Sequence, residues 1–192
     1  SDDEAQIPAL SGRPVVFGML GRFSEEKNHG LFLQAACAVH RAGGGMRLVL
    51  AGEGHLKDAM ISAARRAGLA DITSFPGYLP VSAFMSSIDV YVICSRIENL
   101  PYSIIEAMAW GRPVIGSRVG GIPDLVREGE TGWLVNEGDE AALASAMREC
   151  VERPERLSGL GIAGRKRVHE RFSLESMVEA HRALYASMRR AG

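Results

Sequence analysis

Two glutamates eight positions apart, Glu98 and Glu106, flank the start of a short helix that the sequence predicts at Pro101. Proline has its φ preset for a first helical turn and lacks the N–H that would be unpaired there. The amides of Tyr102 and Ser103 then point out of the helix N-terminus, where backbone N–H groups hold anions. Both carboxylates accept hydrogen bonds. The segment therefore suits a ligand with phosphate in its middle and hydroxyls at both ends, as in a nucleotide-sugar.

Two cations, Arg22 and Lys27, follow the first apolar strand. A guanidinium and an ammonium that lie near each other neutralise a diphosphate. The alternative is that both cations pair with Glu25 and Glu26 in solvent, because charged loops are commonly just solvated. The strand ends in GMLG, which is GxxG and not the dinucleotide fingerprint GxGxxG, so a hydride-transfer enzyme is disfavoured.

Each glutamate also has a purely structural interpretation. For Glu98 it is a surface ion pair with Arg96. Glu106 lies beside Ala107, Met108 and Ala109, which the pattern predicts to be buried, and a carboxylate beside a buried face is rare without a partner. A role as a hydroxyl ligand is therefore favoured for Glu106.

Two glycine-containing loops have open interpretations. The loop Gly77–Pro80 could offer backbone groups to the edge of a nucleobase, but a plain turn is the simpler interpretation. The Gly120-Gly121 pair allows close backbone approach, and its alternative is a structural turn.

Apolar strands alternate with amphipathic helices along most of the chain. The predicted strands are PVVFGML, MRLVLAG, ITSF, VYVIC, PVIGS and GWLV, and helical patterns lie between them and after the last, where Asp139 caps a helix. This order predicts an α/β fold with a Rossmann-like parallel sheet covered by helices on both faces. Ligands bind such sheets outside the carboxyl ends of the strands, and every loop considered above follows a strand.

The predicted domain spans residues 14–172. Residues 1–13 are interpreted as a polar linker or a cloning remnant, and a final helix over 173–190 begins after a hydrophobic staple of Phe172 and Met177. No apolar run reaches the length of a membrane span and no signal peptide is evident, so a cytoplasmic location is expected.

Composition excludes several classes of function. The 192 residues carry a formal net charge of −1 and are 46% hydrophobic, which argues against a nucleic-acid binder and supports a substantial core. The three cysteines form no CxxC pair, and a small buried hydrophobe is the favoured interpretation of each. The five histidines have no metal-ligand spacing, and His29, His40 and His55 are expected at helix ends on the surface. No nucleophile elbow is present.

Taken together, the motifs resemble one family. They are GRF…EEKN, AGEG, FPGYLP, SRIENLPYSIIEAMAWGRPVIGS, VGGIPDLV and GETGWLV. In this order they resemble the C-terminal half of retaining glycosyltransferases of the two-Rossmann-domain (GT-B) type, called group 1 or family 4. The resemblance covers nearly the whole chain.

The resemblance implies a role for each motif. Arg22 and Lys27 bind the donor diphosphate and stabilise the leaving charge, Glu98 contacts the donor sugar or the reaction centre, and Glu106 binds the ribose hydroxyls. The loop between the glutamates presents backbone groups to sugar and phosphate, and the loop after the third strand contacts the base. The residues assigned in these two loops are Asn99, Leu100, Tyr102 and Ser103, and Tyr78 and Leu79.

The resemblance also implies what the enzyme needs. The family uses no metal or cofactor here and retains configuration by a front-face mechanism, in which the leaving phosphate helps to deprotonate a glycan or lipid-linked acceptor. The acceptor is bound by an N-terminal domain that this chain lacks, so the fragment alone is expected to be inactive and the full-length enzyme to be peripheral at the membrane. The alternatives are a nucleotide-sugar 2-epimerase and a non-catalytic nucleotide-sugar-binding module.

Overall fold

The computed structural model describes residues 12–172. The predicted linker over residues 1–13, apart from its last two positions, and the predicted helix from 173 lie outside the described residues. Within them, no helix is both long enough and apolar enough to cross a membrane.

One six-stranded sheet forms the centre of the molecule. Its strands are β1 (Val15–Leu20), β2 (Met46–Ala51), β3 (Thr73–Gly77), β4 (Val90–Ile93), β5 (Val114–Ser117) and β6 (Gly132–Val135). All neighbouring strands pair in parallel in the order β3-β2-β1-β4-β5-β6. This confirms the predicted Rossmann-like α/β fold, and it places the junction between the two halves of the sheet at β1 and β4.

Seven α-helices cover the sheet within the described range. They are α1 (His29–Arg41), α2 (Lys57–Arg66), α3 (Val81–Ser87), α4 (Tyr102–Ala109), α5 (Ile122–Leu125), α6 (Glu140–Glu152) and α7 (Glu155–Arg171). Asp139 caps α6 as predicted, since its carboxylate accepts from the amide of Ala142 at 2.9 Å. Two hydrophobic clusters form the core, one centred on α1, α2 and α6 and the other on α3, α4 and α5.

Helix α7 has no counterpart in the sequence interpretation. Its glycines lower helix propensity and hide the pattern, but Leu157, Leu160 and Val168 are buried at helical spacing. A Cβ at Gly164 would meet the side chain of Met108 at 3.5 Å, an ordinary contact distance, so α7 packs against α4 at this point. Burial of its apolar positions therefore stabilises the helix more than its own propensity does.

Several smaller predictions need correction. Helix α4 begins at Tyr102, and Pro101 occupies the position before it. Ala109 is exposed, whereas Ala107 and Met108 are buried as predicted. Cys94 and Cys150 are buried, but Cys37 is only partly so because it lies in the open groove between α1 and α2.

An ion pair between a buried carboxylate and an exposed guanidinium lies at the edge of the sheet opposite to the strand carboxyl ends. Asp89, 5% exposed, accepts two hydrogen bonds from the Arg13 guanidinium, at 2.6 and 2.8 Å, and one from the Val16 amide at 2.8 Å. The buried Arg112 donates from Nε to the carbonyl of Met85 and is attracted by the same carboxylate. Asp89 therefore balances two guanidiniums at the start of β4.

Candidate functional site

The candidate site lies where β1 and β4 end side by side. The loop after β1 carries Arg22 and Lys27, and the loop after β4 carries Glu98. Backbone contacts join the two loops, since the amide of Arg96 donates to the carbonyl of Glu26 at 2.8 Å. The site is therefore built on the central strands of the sheet, where the backbone is least free to move.

Lys27 and Glu98 are in direct contact across this junction. The ammonium of Lys27 donates to Oε1 of Glu98, and the Glu98 side chain is only 12% exposed. The hydroxyl of Ser95 donates to the same oxygen at 2.8 Å. Among the described residues, no donor reaches the second oxygen, Oε2, so the carboxylate keeps one free acceptor.

The alternative pairings from the sequence are wrong. Glu25 accepts from His55 at 3.1 Å instead of pairing with Arg22 or Lys27. Arg96 lies 3.9 Å from Glu137 and not against Glu98. Because the loop after β4 turns back towards β1, Glu98 meets a cation 71 positions earlier in the chain rather than its neighbour.

The Arg22 guanidinium is exposed and has no hydrogen-bond or ion-pair partner in residues 12–172. Its loop rests on the Gly52-Glu53-Gly54 turn after β2. A Cβ at Gly52, where φ is +134°, would overlap the carbonyl of Gly21, and the amide of Phe23 donates to the carbonyl of Glu53 at 3.0 Å. The turn thus packs against the loop that carries Arg22, a role that the sequence interpretation did not assign.

The N-terminus of α4 faces the same edge. The amides of Tyr102 and Ser103 find no acceptor in the described part of the chain, whereas the amide of Ile104 donates to the carbonyl of Pro101 at 3.0 Å. Unpaired first-turn amides and the helix dipole both favour an anion there. Leu100 and Tyr102 expose 44% and 75% of their surface, and Asn99 is exposed too.

Glu106 is half-buried, and its carboxylate has no hydrogen bond or ion pair within residues 12–172. The buried side chain of Tyr91 lies near both Glu106 and Glu98. Burial raises the pKa of Tyr91, and the charges of the two glutamates raise it further. The Tyr91 hydroxyl donates to the carbonyl of Leu20, the last residue of β1, at 3.4 Å. Glu98 and Glu106 therefore both lie near one side chain of β4.

The Gly120-Gly121 pair packs against the loop after β4. A Cβ at Gly120 would overlap the carbonyl of Glu98, and the amide of Gly121 donates to the carbonyl of Asn99 at 2.6 Å. This geometry supports the structural interpretation of the pair. Because neither glycine has a side chain, the Glu98–Asn99 backbone can lie directly against this turn.

Tyr78 and Leu79 follow β3, at the same edge of the sheet but on its outermost strand. Tyr78 is 81% exposed, while Leu79 is half-buried and packs against the second hydrophobic cluster. They are thus available to a ligand that extends from the β1–β4 junction across β2.

His29, the first residue of α1, is buried rather than on the surface. Its ring stacks on Phe23 with centroids 4.2 Å apart, and both ring nitrogens lack a hydrogen-bond partner within the described residues. The pKa of His29 falls to about 4, chiefly because of burial and secondly because of the charge of Lys27.

We expect this imidazole to make the protein sensitive to acid. Between pH 6.5 and about 4 the unfolded chain binds a proton that the native state does not, so the free energy of unfolding falls by up to about 3 kcal/mol as pH decreases. His29→Phe should remove this part of the pH dependence, measured by urea unfolding at pH 7 and pH 4.5. The exposed His40→Gln is the control. An equal change in the free energy of unfolding between the two pH values for His29→Phe and the wild-type chain would contradict the assignment.

No group of three or more metal-ligating side chains occurs in residues 12–172. The polar groups at the site are cations, carboxylates and helix amides.

Known proteins are similar to this chain in sequence and in fold. The family profile described as "Glycosyl transferases group 1" matches residues 14–153. The 2-deoxystreptamine N-acetyl-D-glucosaminyltransferase of Streptomyces fradiae is 40% identical over 155 residues, covering 78% of this chain and 36% of that protein. The lipopolysaccharide core biosynthesis glycosyltransferase LpsE of Rhizobium meliloti is 30% identical over 186 residues, covering 96% of this chain and 53% of that protein.

The fold also matches a solved structure. The crystal structure of Anabaena HepE in complex with UDP superposes with a TM-score of 0.82 at 22% identity, over 91% of this chain and 49% of HepE. The chain thus spans about half, or less, of the length of these proteins.

Proposed function

The chain belongs to the group 1 glycosyl transferases, and we propose that it is the part of such an enzyme that binds the donor, a nucleoside-diphosphate sugar. The enzyme would move the sugar to a glycan or lipid-linked acceptor with retention of configuration. Arg22, Lys27, Glu98 and Glu106 are the residues to which we assign the donor.

The contact between Lys27 and Glu98 carries the proposal. It brings a cation suited to a diphosphate and a carboxylate suited to sugar hydroxyls together at the β1–β4 junction. In a nucleotide-sugar the β-phosphate is bonded directly to the sugar, so groups that bind these two parts must be adjacent. Arg22 and the α4 amides supply further donors for the same phosphates.

The proposed chemistry follows from these groups. The bond between the anomeric carbon and the diphosphate breaks, a bond to the acceptor oxygen forms, and the acceptor proton passes to the leaving phosphate. Negative charge grows on the diphosphate during this step, and Arg22, Lys27 and the α4 N-terminus stabilise it because they are already oriented towards it. Glu98 orients the sugar, and Glu106 accepts from the ribose hydroxyls.

Similar proteins support a nucleotide-sugar ligand. HepE was crystallised with UDP and, in a further structure, with UDP-glucose. The relatives reported above are named as transferases, which favours transfer over the 2-epimerase and over a non-catalytic binding module. Analysis of products, a transferred sugar against an epimerised one, separates the first two.

We propose that the acceptor is bound by protein outside this chain, which spans 36% and 53% of the two named relatives. The 192-residue chain alone is therefore expected to bind donor and to transfer little or no sugar. An assay of the purified chain with a radiolabelled nucleotide-sugar and simple glycan acceptors tests this expectation. Appreciable transfer would show that a complete site is present.

A panel of ligands tests the proposed function directly. Calorimetry with UDP, GDP and ADP and with the glucose ester of each should identify a nucleoside diphosphate that binds, while the corresponding nucleoside binds much more weakly. Affinity should be the same in EDTA as with added Mg²⁺, because we assign the phosphates to side chains and amides. If no member of the panel binds, the proposal fails.

Glu106→Gln tests the assignment of the ribose hydroxyls. The substitution keeps the shape and removes the charge, so nucleoside diphosphate affinity should fall by about 1–3 kcal/mol. The melting temperature should hold, because the Glu106 carboxylate has no hydrogen-bond partner within residues 12–172. The exposed Glu137→Gln serves as a control. A loss of stability without a loss of affinity would return Glu106 to a structural role.

A further inference from the structure

Glu98 is held at one oxygen only. Ser95 and Lys27 both donate to Oε1, and the described residues provide no donor to Oε2. A carboxylate with one oxygen anchored and the other open is oriented but still able to accept a hydrogen bond from a ligand.

Binding of the donor should affect the two hydrogen bonds to Oε1 of Glu98 differently. Lys27 carries the charge that a diphosphate attracts, and its side chain is 28% exposed. When the donor binds, the phosphates compete with Glu98 for this ammonium. Ser95 is fully buried, so its hydroxyl has no such competitor.

Ser95 is in turn fixed by a hydrogen bond from the end of β5. The hydroxyl of Ser117, at the end of β5, donates to the carbonyl of Ser95 at 2.7 Å, and Ser117 is 1% exposed. A series of hydrogen bonds therefore runs from β5 through the end of β4 to Glu98. This series consists of neutral donors inside the core, which a charged ligand does not displace.

We propose that Ser95 is the positioning residue that keeps Glu98 directed at the donor sugar while the diphosphate draws Lys27 away. The inference rests on the proposed donor function and adds a specific residue to it. Ser95 does not contact the ligand; it acts through Glu98. Its effect should therefore appear in the contribution of the sugar to affinity and not in the binding of the diphosphate.

The measured quantity is the ratio of the dissociation constants of a nucleoside diphosphate and its glucose ester, using the pair that binds most tightly in the panel. Ser95→Ala should reduce the advantage of the sugar ester by about tenfold, the lower end of the effect of losing a hydrogen bond to a charged group. The affinity for the nucleoside diphosphate alone should change less than twofold. Ser86→Ala, which removes an exposed serine hydroxyl bonded to its own helix, is the matched control.

A double-mutant cycle separates positioning from general damage. If Ser95 acts only through Glu98, Ser95→Ala combined with Glu98→Gln should have the same ratio as Glu98→Gln alone. Additive losses, or equal losses for the diphosphate and its sugar ester, would overturn the proposal. If Ser95→Ala does not fold, Ser117→Ala should lower the same ratio by a smaller factor, and an unchanged ratio would overturn it.

A second measurement needs no ligand. Amide hydrogen exchange over residues 96–101 should be faster in Ser95→Ala than in the wild-type chain and in Ser86→Ala, because Glu98 then has one anchor instead of two. Unchanged exchange would contradict the role of Ser95 even if the chain bound no nucleotide. Absence of nucleotide binding in the wild-type chain would instead contradict the donor function.

Discussion

Replacing Arg22 and Lys27 together by alanine should lower the affinity for a nucleoside diphosphate by about 10²- to 10⁴-fold. Each charge-assisted hydrogen bond contributes about 1.5–3 kcal/mol, and the two losses should add if the residues bind different phosphate oxygens. Binding of the nucleoside, which lacks phosphates, should hardly change. Calorimetry with both ligands gives the two values.

The single variants refine this expectation. The Arg22 guanidinium has no partner in residues 12–172, so Arg22→Ala should leave the melting temperature unchanged. Lys27→Ala also removes the ion pair with Glu98 and should cost some stability. Equal losses for nucleoside and nucleoside diphosphate would mean that these residues support the fold and not the phosphate.

Removing the charge of Asp89 should destabilise the protein by about 3 kcal/mol, the lower end of the cost of leaving a buried charge unbalanced, because Arg112 is buried but the Arg13 side chain is 41% exposed. In Asp89→Asn the buried Arg112 and the Arg13 guanidinium lose the carboxylate that balances them. The free energy of unfolding in urea measures the effect.

A surface ion pair provides the control for Asp89. Arg96 and Glu137 lie 3.9 Å apart with side chains 59% and 45% exposed, so Glu137→Gln should change stability by at most about 1 kcal/mol. A similar change in the two variants would show that the network around Asp89 contributes little.

The sequence predicted most of the sheet because its strands are nearly continuous apolar segments. It also predicted a helix cap that depends on local chemistry, Asp139 at the start of α6. Helix α7 could not be predicted in this way, since its glycines are unfavourable for an isolated helix. The helix is stabilised instead by the burial of Leu157, Leu160 and Val168.

In the candidate site, too, the sequence predicted some features and only the structure showed others. Residue types and order were sufficient to select Arg22, Lys27, Glu98 and Glu106 as candidates. Their partners were not readable, because they come from distant parts of the chain: Lys27 pairs with Glu98 rather than with Glu25 or Glu26, and the role of Ser95 depends on Ser117. The burial of His29 was hidden for the same reason, since Phe23 covers its ring.

The sequence by itself determined the α/β class, the parallel sheet and the family, because these depend on periodicity, turn residues and short motifs that are local along the chain. Only the tertiary structure decided which charged group meets which. Such contacts depend on the order of the strands, which brings the ends of β1 and β4 side by side although 73 positions separate Leu20 from Ile93. Hydrogen bonds require direct contact, and charges in water are screened beyond about 10 Å, so both follow this spatial adjacency and not proximity in sequence.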